Sequence, residues 1–175
     1  SMVISKVQGN IVDILMPPLS PMELYLGYII GGVTRGLAVG IAALAVLSFF
    51  VPIHFHSVLN IVMFSVLGTW MMASMGLAGG IWSEKFDHIA AVTNFAVTPL
   101  TFLSGTFYAI EQLPPVWQKV AHYNPFFHMI DGFRYGFIGH ESAVPLWGIG
   151  FLVVINLLLA ALCLWMLKTG YKIKQ

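Results

Sequence analysis

Leu113-Pro114-Pro115-Val116-Trp117-Gln118-Lys119-Val120-Ala121-His122-Tyr123-Asn124-Pro125-Phe126-Phe127-His128-Met129-Ile130-Asp131-Gly132-Phe133-Arg134-Tyr135-Gly136-Phe137-Ile138-Gly139 is the stretch that decides how this chain folds. It is aromatic, broken by proline in two places, and set between two long apolar runs. It is too polar to cross a bilayer and too apolar for an ordinary loop. Such a composition suits the membrane–water interface, where an aromatic body sits in lipid and a polar tip in water. Pro115 opens one short helix that ends near Tyr123. Asn124 caps and Pro125 starts a second, which ends near Gly139. Neither is long enough to cross. A hairpin of this kind can dip into the outer leaflet only where protein shields its broken backbone.

Outward from this stretch the chain is apolar almost throughout. Of 175 residues 58% are hydrophobic and 9% charged, against about 25% charged in soluble domains. The reading is an all-α integral membrane fold. A hydrocarbon core of about 30 Å needs about 20 apolar residues in a helix. Four stretches qualify, 24–53, 58–82, 89–110 and 145–167, with the hairpin 113–139 between the last two. Residues 1–19 form a separate leading segment, and residues 20–175 form the membrane domain. Four crossings put Lys6, Lys85, Lys168, Lys172 and Lys174 on one side and Lys119 and Arg134 on the other. The positive-inside rule makes the first side cytoplasmic, both ends of the chain included.

Ser20-Pro21-Met22-Glu23 fits a capping box at the start of the first span, with proline at the first helical position. That span of 24–53 is about 45 Å long, so it tilts or protrudes. Protrusion at its start puts Arg35 near one interface, where it can snorkel. Gly27, Gly31, Gly32, Gly36 and Gly40 give overlapping small-xxx-small spacings, which suit close helix packing within the chain or at a moving interface. Pro99 kinks the third span, as a hinge or as fixed shape. In the leading segment Val7, Ile11, Ile14 and Leu15 share one helical face, with Asp13 at its rim, until Pro17-Pro18 ends the helix. Such a helix lies on lipid or docks into a groove on a partner.

Several functions are excluded or weakened by residue type. No basic patch exists to hold nucleic acid. The lone Cys163 offers no disulfide framework. Asp13 and three prolines interrupt the start before any secretory signal core forms. Six histidines, among them His54, His56, His122, His128 and His140 on the outer side, lack carboxylate or cysteine partners at ligand spacing, so no metal site is expected. Asp131 and Arg134 lie three apart and can form an ion pair on one helix face. Asn156, the strongly polar residue inside the fourth span, suits a hydrogen bond to a neighbouring helix. Ser104-Gly105 suggests an intramembrane serine hydrolase only weakly. Phe102 stands where that pattern has glycine, and no histidine in the fourth span can serve as base. No Walker loop is present.

Leu113-Pro114, ten residues, Pro125-Phe126-x-His128, five residues and Arg134 together resemble the signature of ABC-2 type transporter permeases. The runs Asn94–Tyr108 and Asp131–Gly136 resemble the same family. Lys6–Leu15 and Gly31–Gly36 resemble its branch of nodulation-factor exporters and small inner-membrane permeases. The resemblance implies six membrane helices per subunit, a permease dimer of like or unlike subunits in the bacterial inner membrane, and a separate ABC ATP-binding subunit that binds ATP and magnesium. This chain then corresponds to the last four spans and needs no cofactor of its own. The resemblance makes Lys6–Leu15 a coupling helix in a groove of the ATPase, with Val7, Ile11, Asp13, Ile14 and Leu15 in contact. It makes 113–139 the outer re-entrant hairpin that closes the exit, with Pro114, Trp117, Pro125, His128, Asp131 and Arg134 as its marked positions. Gly32, Gly36, Gly40 and Pro99 are the helix-packing positions. The function expected is the pathway-forming subunit of an exporter, with a membrane scaffold or a serine hydrolase as alternatives.

Overall fold

The computed structural model describes residues 5, 19–83, 86–105, 114–139 and 145–170. The expected coupling helix Lys6–Leu15 lies outside the described residues. The described chain is helical: α1 (Pro21–Ser48), α2 (Val58–Trp82), α3 (Phe86–Val92), a π-helical turn (Thr93–Val97), α4 (Thr98–Phe102), α5 (Pro115–His122), α6 (Pro125–Ile138) and α7 (Pro145–Thr169). By length and composition α1, α2 and α7 can each cross a membrane.

The start of α1 is fixed by a reciprocal cap. Ser20 N and Oγ donate to Glu23 Oε2 at 2.7 and 2.8 Å, and Glu23 N donates back to Ser20 Oγ at 3.3 Å. Its end corrects the sequence reading, which carried the span to Ile53. The helix stops at Ser48. Pro52 has no N–H to donate and disfavours helical backbone at Val51, so the chain turns at Phe49 and Phe50. Their N–H groups bond back to Val46 and Leu47.

α2 is the centre of the fold. Ile61, Phe64, Gly68, Met71, Ser74, Leu77 and Ile81 are all buried, a run with the three-to-four spacing of one helix face. α7, α6 and α1 pack against it. α1 runs antiparallel to α2, since Gly32 lies against Ala73 and Gly36 against Thr69. From the middle of α2, Trp70 Nε1 donates to Tyr25 Oη at 2.9 Å, and that oxygen lies 3.1 Å from Ser74 Oγ, one turn on. α7 runs parallel to α2: Gly148 is beside Phe64, Asn156 Nδ2 donates to Leu67 O at 3.1 Å, and Cys163 Sγ reaches Ser74 O at 3.4 Å. Parallel neighbours oblige the chain between Trp82 and Pro145 to travel back along α2.

The helical run 86–102 lies on that return path, but it is not one regular helix. Pro99 removes an N–H and crowds the carbonyl of Phe95. The ladder widens just before it: Thr98 N bonds Thr93 O across five residues, and Thr98 Oγ1 donates to the same carbonyl at 2.9 Å. The expected kink is therefore seated on a π turn. α7 ends at Thr169, whose hydroxyl bonds Trp165 O at 2.8 Å, and Gly170 follows with φ 66°.

Candidate functional site

The helical hairpin α5–α6 and the groove that holds it form the most specific part of the molecule. Asn124 sets the hairpin turn. Its Oδ1 accepts from Phe126 N at 3.0 Å, the N-cap bond of α6. Its Nδ2 donates to Leu100 O at 2.6 Å, across to the end of α4. One buried side chain thus starts α6 and satisfies a carbonyl left open where another helix stops. His128 Nε2 donates to His122 O at 2.7 Å and ties the end of α5 to α6. The His128 ring lies 4.8 Å from that of Phe151 on α7.

α6 lies along one half of α2. Met129 meets Gly68, Phe64 fills the space above Gly132, and Ile61 packs onto Gly136. The turn at Asn124 is therefore the deepest point, near the middle of α2, and the end of α6 is level with the start of α2. There Gly136 O accepts from both His56 N and Ser57 N at 2.9 Å. Gly139 closes α6 in the left-handed region at φ 70°, directly over the His56 ring. A side chain at Gly136 would collide with Ile61 Cγ1 and press on Ile61 N and Ser57 O, so the close approach requires glycine.

Arg134 reaches beyond its own helix. Its Nη2 donates to Gly105 O at 2.8 Å. Gly105 is itself in the left-handed region at φ 76°, which turns the chain after α4 and presents that carbonyl. Arg134 and Asn124 thus fasten the end of the α3–α4 run to the hairpin at two points. Pro114 and Pro125 stand at the N-cap of α5 and the first position of α6. Trp117, on α5, is half-exposed. Val116 and Tyr123 are also exposed, which gives the hairpin an apolar outer surface suited to a bilayer interface.

The remaining marked residues are placed as follows. Gly32 and Gly36 face α2, while a Cβ at Gly40 would meet nothing. Pro99 is exposed beside the π turn. Ser104 is buried, with its hydroxyl donating to Thr101 O, a carbonyl that cannot act as a base. Among the described residues no three His, Cys, Asp or Glu side chains gather to hold a metal ion. Sequence reasoning missed Gly132 and Gly136 as packing residues, although they repeat the small-xxx-small spacing noted on α1. It missed the second role of Asn124 altogether, because nothing local to Asn124 announces Leu100.

Residues 1–138 match the ABC-2 type transporter family, and the chain belongs to that family of membrane transport permeases. It is 39% identical over 166 residues to the inner membrane transport permease YadH of Escherichia coli (strain K12), a match covering 95% of this chain and 65% of that protein. It is 32% identical over 93 residues to nodulation protein J of Neorhizobium galegae, covering 53% of this chain and 32% of the relative. It is 30% identical over 115 residues to the capsule polysaccharide export inner-membrane protein BexB of Haemophilus influenzae, covering 63% and 43%. The chain thus spans about two thirds of the length of the first of these relatives. No solved structure matches it.

Proposed function

We propose that this chain forms part of the translocation pathway of an ATP-driven exporter, coupled to a separate ABC ATP-binding subunit. The observation that carries the reading is the parallel pairing of α2 and α7 in a chain of this family. Parallel neighbours need an odd number of crossings between them. The described run 86–102, which stops at Phe102 short of the expected Ile110, is the segment read as that crossing; it makes four spans and leaves α5–α6 on the same side as the α1–α2 connection. The bonds from His56 and Ser57 to Gly136 O agree with that placement. Lysine distribution makes that side external and both ends of this chain cytoplasmic, in a bacterial inner membrane. The hairpin then enters the outer leaflet to mid-depth, shielded by α2 and α7, as an exit gate. Export is supported by the name of the BexB relative.

The chain performs no covalent chemistry in this scheme. ATP and magnesium are bound by the partner. Nucleotide-driven closure of the partner moves the Lys6–Leu15 helix through Val7, Ile11, Ile14 and Leu15, and two permease subunits shift to open a path outward. The shift requires that nucleotide favour one state over the other through the ATPase. Placing a carboxylate in the apolar docking face by Ile11→Asp is expected to abolish co-purification of the ATPase while membrane insertion of the whole protein stays normal. Undiminished co-purification removes the coupling assignment.

A further inference from the structure

Arg35 is a charged residue in the middle of a mostly apolar helix, and among the described residues it has no polar partner. Gly32 against Ala73 and Gly36 against Thr69 fix the register of α1 on α2. That register sets Arg35 level with Trp70, the central residue of Val58–Trp82. Twelve residues separate Trp70 from each end of α2, about 18 Å at 1.5 Å per residue. Arg35 is thus halfway along both helices, where the sequence alone suggested a place near one interface. Among the described residues no group hydrogen-bonds or ion-pairs with its guanidinium, which is exposed at the flank of the α1–α2 contact.

Lipid tails cannot satisfy such a group. A charge at the bilayer centre is costly, so intramembrane charges face water-filled cavities or bound polar groups and mark substrate pathways. The neighbours of Arg35 on that face suit an amphiphile. Gly31 and Gly27, one and two turns earlier, leave open space. Val39 and Val46, one and three turns later on the same face, are exposed at 64% and 58% and present apolar surface.

We propose that Arg35 binds the anionic group of the transported cargo, an amphiphile bearing a phosphate or carboxylate, with its apolar part along the exposed face of α1. The guanidinium fork suits either group in a bidentate pair. The proposal rests on the reading of the chain as a transport permease and names the chemistry of its cargo.

Decyl phosphate serves as the probe and decanol as its uncharged control. Binding to the whole protein in phosphatidylcholine nanodiscs is read by titration without nucleotide or ATPase, so failure of ATPase coupling leaves this measurement standing. Saturable binding of decyl phosphate is expected, weakened at least tenfold by Arg35→Gln and by a smaller factor by Arg35→Lys, which keeps the charge and loses the fork. Decanol binding is expected to be equal in all three proteins. If the glutamine variant does not fold, the lysine variant carries the comparison. Equal binding of phosphate by wild type and variant overturns the proposal, as does equal affinity for decyl phosphate and decanol. Loss of decyl phosphate binding in phosphatidylglycerol nanodiscs also overturns it, because the site is then one for bilayer lipid. So does a glutamine variant that separates the permease subunits with phosphate binding unchanged, because the guanidinium then pairs across subunits.

Discussion

Asn124 shows how one side chain can join two elements that are far apart in sequence. Its carbonyl oxygen caps α6 and its amide nitrogen holds Leu100 O. Replacing it with alanine removes the cap, worth about 1 kcal/mol, and leaves a buried carbonyl without its donor, worth about 1–3 kcal/mol. Asn124→Ala is expected to lower the thermal unfolding temperature of the purified protein, and so is Asn124→Asp, which keeps the cap but sets a second oxygen against Leu100 O. An alanine variant as stable as the wild type would show that neither bond contributes. Arg134 acts on the same junction from the other side through Gly105. Spacing offered it Asp131 on its own helix; the tertiary fold also brings to it a carbonyl 29 residues away, exposed by a left-handed glycine.

At the scale of elements, the membrane helices are held by glycine contacts on selected faces. Of the five glycines noted along α1, Gly32 and Gly36 meet α2, and Gly27, Gly31 and Gly40 meet nothing in this chain. A Cβ at Gly36 would stand 2.6 Å from Thr69 Cγ2, so Gly36→Leu forces α1 away from α2 at a cost of about 1–3 kcal/mol. Gly40→Leu is expected to leave the stability of the isolated subunit unchanged. Unfolding of the two variants in detergent measures the difference, and equal midpoints would mean that the α1–α2 approach is not tight in solution. The two glycine sets were not separable by sequence, because overlapping i, i+4 spacings wrap around the helix. Pro99 was legible as a break. The π turn that absorbs it was not, since the shift to five-residue bonding depends on how Thr93 and Thr98 meet.

For the whole molecule, the parallel pairing of α2 and α7 and the placement of α6 beside the α1–α2 connection set the topology to be tested. Cysteines introduced at Lys119→Cys and Lys168→Cys report it with a membrane-impermeant thiol reagent, the native Cys163 being fully buried. Labelling of residue 119 in intact cells, with residue 168 labelled only after permeabilisation, is expected. The reverse pattern would invert the protein and place the Lys6–Leu15 helix where no ATPase can reach it.

Hydrophobic runs, proline and capping residues determined by themselves that this chain is helical, belongs in a membrane and carries a segment of two short helices between long apolar runs. Those features act within a few residues along the backbone, so no distant contact is needed to read them. The ends of α1 show the limit: Ser20 and Glu23 announce the start, while the early stop depends on how Pro52 and the docked loop release the chain. Only the tertiary structure decided which face of α2 is buried, because that helix is apolar all round and gives no amphipathic stripe to choose from. It also decided that Arg134 and Asn124 meet the end of α4, and that Arg35 is level with the middle of α2. Register between helices is set by where small residues let two backbones approach, and that is a property of the pair rather than of either sequence alone.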